Sequence, residues 1–522
     1  MDESQRSAPE AKPAPAPPGG HDGGAGAAHL TSPTRRGVLR GGALAAAVAA
    51  LEVLKNSSVV PTRMTSAAAA APAAAAAVLP DIQFDIADYV GPVTTVDGIE
   101  VQMGPVHTVF ATARLLRPPT RGDQIRLSSA LSTIERAYAF SPSGVFTFVG
   151  YGLPYFGKMP GGLHGPLVSA YMPRLRSSTR RYVLEEAVAG PTDVSPANPR
   201  ITKRRFNVPV SIEGNDLLFT LRSDNAANIQ DVLRWLGGSN RLAGRPQTSP
   251  LLSDLLTFTS SRAMFTQIGL PRKVADANRL VYAFMVNPRS PMWMGFADQQ
   301  TSGTSPAGAV TFQSSSLTTA RPGDYFGNGS VQHLSHVIMD LQQFYDVDDK
   351  GVPGDDAMYT ERVQYMFRST PPPSEGNADQ YTDGGGPAFL ENTFQGTDDA
   401  LRSAQGIGTP EGEHRIGHLS CLQRSSRTAS GQPLHVRMDG PGYDGMDVPD
   451  GSAQPKLQFT VFVPTAEFFR VMRSNQASLD LAEENDVEED ENGLERFLTA
   501  TRRQNFLTPP RLHRSFPLVE FI

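Results

Sequence analysis

The chain has 522 residues, with 47 Lys+Arg against 53 Asp+Glu, a formal net charge of -6 and 39% hydrophobic residues. That length predicts two or three domains at roughly 150 residues each, and the near-balanced charge lacks the basic excess of a nucleic-acid binder. One cysteine, Cys421, excludes an internal disulfide framework, a Cys-based zinc site and an iron–sulfur cluster.

Residues 1–33 are Pro, Gly, Ala and Ser with almost no large apolar side chain, a composition that predicts a disordered tail. Thr34-Arg35-Arg36-Gly37-Val38-Leu39-Arg40 follows, then a weakly apolar run from Ala43 to Leu54, broken by Glu52. That run falls short of the ~20 apolar residues of a membrane-crossing helix. Basic pair, short apolar run and Ala-rich stretch (Ala67–Ala77) together match a twin-arginine export signal over residues 34–79. A chance Arg-Arg in a tail is the competing reading. Export by that route implies a cell-envelope or extracellular protein with no stable membrane span. Without disulfides, its stability must come from its core, a bound cofactor or homo-oligomerisation.

From about Ile82 the pattern becomes globular. Val106–Leu116 reads as a strand, and Gln124–Phe140 as a helix with Leu127, Leu131, Ile134 and Tyr138 on one side. Gly144–Gly150 is a buried strand, followed by a loop over Tyr151–Gly162. Asp216–Arg222 is a strand, Asn225–Trp235 a helix capped by Asp224 or Asn225, and Leu255–Thr266 a strand. Strand–helix–strand twice over is the order of a ferredoxin-like unit. Leu280–Val286 reads as a further apolar strand.

A second set starts beyond the glycine-rich stretch 301–330. Val331–Ile338 is strand-like and leads into a helix over Leu341–Tyr345. Residues 346–388 form a long excursion with one helical piece near Met358–Phe367. A short strand near Leu434–Met438, a strong strand Lys456–Val463 and a helix from Thr465 through Leu481 follow. The spacing predicts a last helix over Gly493–Gln504, closed by Pro509-Pro510. The acidic run Glu483–Glu491 reads as a solvated loop, and Trp235 and Trp293 read as packed core.

Two motifs could carry chemistry. Gly295-Phe-Ala-Asp298 holds a carboxylate on a turn, where a capping Asp is the bland alternative. His418 is followed nineteen residues later by Arg437, and a neutral imidazole can ligate a metal or haem iron. His414, His435, His333 and His336 compete for that role.

In this order the pieces resemble the dye-decolourising peroxidase superfamily of haem enzymes over most of residues 100–522. The segments concerned are Gly295–Gln300, Asn328–Asp340, His418 with Arg437, and Lys456–Val463 with the helix Phe468–Ser478. Gln299 stands where the family motif has its second Gly, and Gly-His-Leu-Ser-Cys-Leu-Gln-Arg departs from the family's continuation after the His. The resemblance implies an α+β domain of two ferredoxin-like halves, 80–300 and 301–522, closing into a dimeric α+β barrel-like unit. The second half carries an insertion at 346–410. It also implies one haem b per chain, with His418 as the proximal iron ligand, Asp298 as the distal acid–base and Arg437 as the distal arginine. Hydrogen peroxide and a small organic, phenolic or dye-like reductant are the implied partners, with the twin-arginine machinery for export. Arg502, Arg503 and Arg511 are candidates for the haem propionates or the surface. An exported protein binding haem or another ligand on the same scaffold without turnover is the alternative, and a cofactor-independent enzyme in the same barrel is a third.

Overall fold

A computed structural model describes residues 79–92, 94–96, 99–185, 205–288, 290–294, 305–354, 435–477 and 494–522. Asp298, His418, His414, Cys421, the twin-arginine segment, the acidic run and the helical piece near Met358–Phe367 lie outside them.

The first half is built on four long strands. β3 (His107–Leu115) and β4 (Phe146–Tyr151) are joined by helix α1 (Arg121–Ala137), after a small hairpin of β1 (Thr94–Val96) and β2 (Ile99–Val101). Thr120 and Asp123 start α1 with a capping box, each side chain bonded to the other's backbone N–H. Short helices α2 (Leu153–Gly157) and α3 (Pro166–Tyr171) and strand β5 (Ser211–Ile212) precede β6 (Leu217–Ser223). Helix α4 (Ala226–Leu236) is capped by Asn225, whose side chain accepts from the Ala227 N–H. A hairpin of β7 (Arg241–Leu242) and β8 (Arg245–Pro246) leads to β9 (Leu256–Phe265) and helix α5 (Leu270–Ala277). The sheet order β4-β6-β3-β9 is second, third, first, fourth, the ferredoxin-like arrangement.

The second half repeats the plan. β10 (Ser330–Met339), helix α6 (Leu341–Phe344), β11 (Val436–Arg437), β12 (Gly440–Asp444), β13 (Gln454–Val463), helix α7 (Ala466–Ala477) and β14 (Leu498–Thr508) follow in order. β11 and β12 both pair with β13, which pairs with β10, which pairs with β14. The order is again second, third, first, fourth.

The halves join where β14 meets β4 at a single residue pair, Leu507 and Tyr151, and where the short β5 pairs in parallel with β14 at Ser211 and Ile212. On the other side of the sheet β12 returns beside β9 without forming a ladder. Glycines permit that approach. A Cβ on Gly442 would stand 3.0 Å from the Ala263 carbonyl oxygen, and one on Gly440 would stand 2.7 Å from Thr266 Oγ1. The sheet thus curls into a barrel within one chain.

The outer faces of β3, β4, β6 and β13 bury α1, α4 and α7 through Leu127, Ile134, Ile229, Leu233, Phe468 and Phe469. Inside, one residue or more from nearly every strand meets at one end: Phe110, Phe146, Phe148, Leu218, Met264, Leu334, Phe462 and Phe506. Phe84 from the N-terminal segment caps this aromatic end, stacked on Phe462 with ring centroids 3.9 Å apart. Trp235 and Trp293 are both core residues.

Two expected elements take another form. Leu498–Thr508 is a strand, where apolar spacing in Gly493–Gln504 predicts a helix; only Glu495–Phe497 turns, as a 3-10 helix. Ten residues of β14 pair with β10, and that burial of backbone groups outweighs local spacing. The apolar run Leu280–Val286 contains a 3-10 helix, Ala283–Met285, instead of a strand. The expected loop Tyr151–Gly162 also contains α2.

Candidate functional site

Of the three residues the resemblance singles out, Arg437 is described. It lies on β11, opposite Val461 of β13. Val461 is opposite His333 of β10, which is opposite Asn505 of β14. Directly opposed residues share a face, so Arg437, Val461, His333 and Asn505 form one row across the second half. The row lies under α7, where Phe469 stacks on the His333 ring at 3.4 Å between centroids. Arg437 is partly buried at 18% exposure, with Nε 3.8 Å from Asp439 Oδ1.

The chain toward Asp298 leaves the described residues at Met294, four positions earlier. Its starting point is fixed by Trp293, whose Nε1–H donates to the Gly442 carbonyl at 3.1 Å and whose own carbonyl accepts from the Tyr345 hydroxyl at 2.5 Å. Gly442 lies on β12, five residues after Arg437. The chain from His418 re-enters at His435, two residues before Arg437. The described chain thus stops at Met294, next to the Trp293 that bonds β12, and resumes at His435, next to β11.

Two of the imidazoles that compete with His418, His333 and His336, are engaged elsewhere. Asn505 Nδ2 donates to the Glu185 carbonyl at 2.8 Å, leaving its Oδ1 to accept from His333 Nδ1–H at 2.7 Å. His333 Nε2 then accepts from the Ser335 hydroxyl at 2.6 Å. Burial, with Arg503 and Arg262 nearby, holds the His333 pKa well below the usual histidine value, so the ring is neutral. Ser–His–Asn order can activate a hydroxyl, but Ser335 is buried and Phe469 covers the ring. The relay ties β10 to β14. His336 faces the barrel interior, with Nδ1 2.9 Å from Gln458 Oε1 and Nε2 3.5 Å from Asp444 Oδ1. His435 is buried at the start of β11.

The end of the barrel interior opposite Phe84 is ionic. Arg262 pairs with Glu213, Glu213 with Arg502 at 3.4 Å, and Arg502 with Asp447 at 2.7 Å. Lys456 Nζ donates to the Met446 carbonyl at 2.7 Å and lies 3.8 Å from Asp444 Oδ1. Burial pushes the Lys456 pKa down to about 8, against the pull of Asp444 and Asp447. Arg502 is thus committed within this cluster, and Arg511 is bonded to Glu135 at 2.5 Å and to the Pro80 carbonyl at 2.7 Å. Neither is placed for a propionate. Among the described residues no group of three or more His, Cys, Asp or Glu is gathered to hold a metal, and no helix is long and apolar enough to cross a membrane.

On the described residues, the fit to haem is one-sided. Arg437 supplies a part-buried cation on a helix-covered face, beside the aliphatic Val461. His333 on the same row cannot bind iron, because both ring nitrogens are engaged.

The fold defines the class of domain: two ferredoxin-like halves in one chain, closed into a barrel. A model of a family of unknown function (DUF7405) matches residues 177–510, and the chain belongs to that family. No curated protein matches the sequence. Similar solved structures include a DyP-type peroxidase from Cellulomonas bogoriensis, 13% identical, covering 81% of this chain and 95% of that one, with a TM-score of 0.43. A dye-decolorizing protein from V. cholerae is 11% identical over 80% and 97%, with a TM-score of 0.41. An oxyferrous complex of DtpA from Streptomyces lividans is 14% identical over 81% and 93%, with a TM-score of 0.38.

Proposed function

We propose that the protein is an exported haem peroxidase that uses hydrogen peroxide to oxidise organic, phenolic or dye-like substrates. The observation that supports this most is Arg437: a part-buried guanidinium on β11, in one row with Val461 and His333 on the face where α7 packs. Haem, when bound, supplies an iron centre that takes peroxide on one face and stores its oxidising equivalents. His418 is the residue that would hold the iron. The Asp298 carboxylate would take the proton from the inner peroxide oxygen and return it to the outer one. The Arg437 guanidinium would stabilise the negative charge gathering on the departing oxygen. The twin-arginine segment supports export of the folded chain.

A carboxylate base has an unperturbed pKa near ~4, so turnover is expected to be fastest at acid pH. Steady-state dye oxidation by Asp298→Asn tests the assignment: a loss of about 100-fold or more is expected, and unchanged turnover would remove Asp298 from the mechanism. The second reading, a haem- or ligand-binding protein without turnover, is favoured by Gln299 in place of the motif's second Gly. Bound haem with no peroxide turnover would select it.

A further inference from the structure

The aromatic end of the barrel carries a cleft remote in sequence from Asp298, His418 and Arg437. Its volume is about 410 Å³, and Met103, Val106, Pro142 and Ile268 give it apolar walls. Small-molecule sites have this size and character, with a few placed polar groups. Here the polar group lies beneath Gly104, which lines the cleft.

That group is Arg222, the penultimate residue of β6. It faces inward beside Phe146 and Thr108, its partners in the sheet register. Only 6% of the residue is exposed. Its Nε donates to Thr108 Oγ1 at 3.1 Å. Its two Nη groups make no hydrogen bond among the described residues. A Cβ on Gly104 would stand 2.6 Å from Nη2, so any larger residue at 104 would cover the guanidinium from the cleft side. Asp224 is the neighbouring carboxylate, but its Oδ1 already accepts from the Val106 N–H at 3.0 Å. Thr266 also lines the cleft, but its hydroxyl is buried and has no partner among the described residues.

A buried cation with unfilled donors is costly unless an acceptor arrives. A ligand carboxylate is the acceptor that matches two Nη groups, since it can take both at once. Burial lowers the Arg222 pKa to about 10, with Asp224 opposing, so the guanidinium is still charged at neutral pH. The Asp224 charge at the rim disfavours a dianion such as phosphate and leaves room for a single negative charge held deeper.

We infer that this cleft binds a small apolar molecule carrying one carboxylate. The carboxylate sits on the Nη groups of Arg222. The apolar body lies against Met103, Val106, Pro142 and Ile268. The inference does not rest on the peroxidase reading, which can fail without affecting it.

Calorimetric titration of the full chain with 3-phenylpropanoate and with its neutral amide, 3-phenylpropanamide, tests the inference. The carboxylate is expected to bind about tenfold or more tightly than the amide. Arg222→Gln should remove that difference while leaving amide binding unchanged, and Gly104→Val should abolish binding of both. Equal affinity of the wild-type protein for the two compounds, or no binding of either at about 10 mM, would overturn the inference. The wild-type comparison needs no variant, so a failure of Arg222→Gln to fold does not protect the idea.

Discussion

The side chain of Gln83 pairs with the backbone of Val149 as a strand residue would. Its Oε1 accepts from the Val149 N–H at 2.9 Å, and its Nε2 donates to the Val149 carbonyl at 3.1 Å and to the Pro509 carbonyl at 2.8 Å. Gln504 does the same at Asn215, accepting from its N–H at 3.0 Å and donating to its carbonyl at 2.7 Å. Both lie along the seam where β4 and β14 share only one residue pair. Two amide side chains thus replace missing ladder and hold the halves together.

Gln83→Ala should therefore destabilise the protein by about 2–4 kcal/mol, because it leaves three buried backbone groups without partners. Urea unfolding followed by circular dichroism measures it. A change below about 0.5 kcal/mol, the size of an ordinary surface substitution, would mean that the seam does not depend on Gln83.

The opposite closure depends on missing side chains. Gly442→Val would bring a Cβ to 3.0 Å from the Ala263 carbonyl and the Gln458 amide, both confined within the barrel wall. A loss of about 1–3 kcal/mol is expected from overpacking, with Gly451→Ala, where a Cβ meets nothing within 4 Å but φ is +71°, as a strain-only control. Equal losses in the two variants would show that the closeness of β12 to β9 is not what limits position 442.

His107 sets an acid limit on stability. Burial lowers its pKa from 6.5 to about 4, and its Nδ1 has no hydrogen-bond partner among the described residues. The folded value lies below the unfolded one, so its contribution is complete above pH 6.5 and is lost as pH falls toward 4. At ~1.4 kcal/mol per unit the loss reaches about 3 kcal/mol. His333, shifted the same way, adds to it. His107→Leu should flatten the fall in melting temperature between pH 6.5 and 4 without removing it. An unchanged pH profile in that variant would show that His107 is not a source of the decline.

Asp447 acts in a lower window. Burial alone pushes its carboxyl up, but Arg502, Thr501 and His336 bring the pKa down from 3.8 to about 2. Its stabilisation is therefore present above pH 3.8 and lost as pH falls through 2. Asp447 has φ of +60°, a conformation that Asn tolerates, so Asp447→Asn removes the charge with little backbone strain. Because Arg502 is about one-third exposed, solvent screening limits the expected loss to about 1 kcal/mol at pH 7. The variant and wild-type curves should converge near pH 2; a gap that persists there would assign the effect to packing.

Much of the fold was legible because its strands are continuous apolar or β-branched runs bounded by turns. Leu217–Ser223 and Phe146–Tyr151 are of this kind, and the Asn225 cap marks the start of α4. β14 was not legible, since Leu494 and Phe497 mimic a helical stripe and only pairing with β10 makes the following residues a strand. Arg437 is singled out only through the resemblance and its spacing to His418; the structure places it on β11, opposite Val461. Arg222 was not legible: Gly104 leaves it open to the cleft, and those residues meet only in the folded chain. The seam glutamines were equally hidden, because a buried Gln signals nothing until the ladder it replaces is known to be missing.

The central claim is that His418 holds haem iron beside Arg437. The direct measurement is the absorption spectrum of protein purified from haem-supplemented cells, alongside His418→Ala prepared in the same way. A Soret band in the wild type that disappears in the variant, while the far-ultraviolet circular dichroism is unchanged, is the predicted result. Absence of the band even after haem titration, or normal haem in His418→Ala, would contradict it.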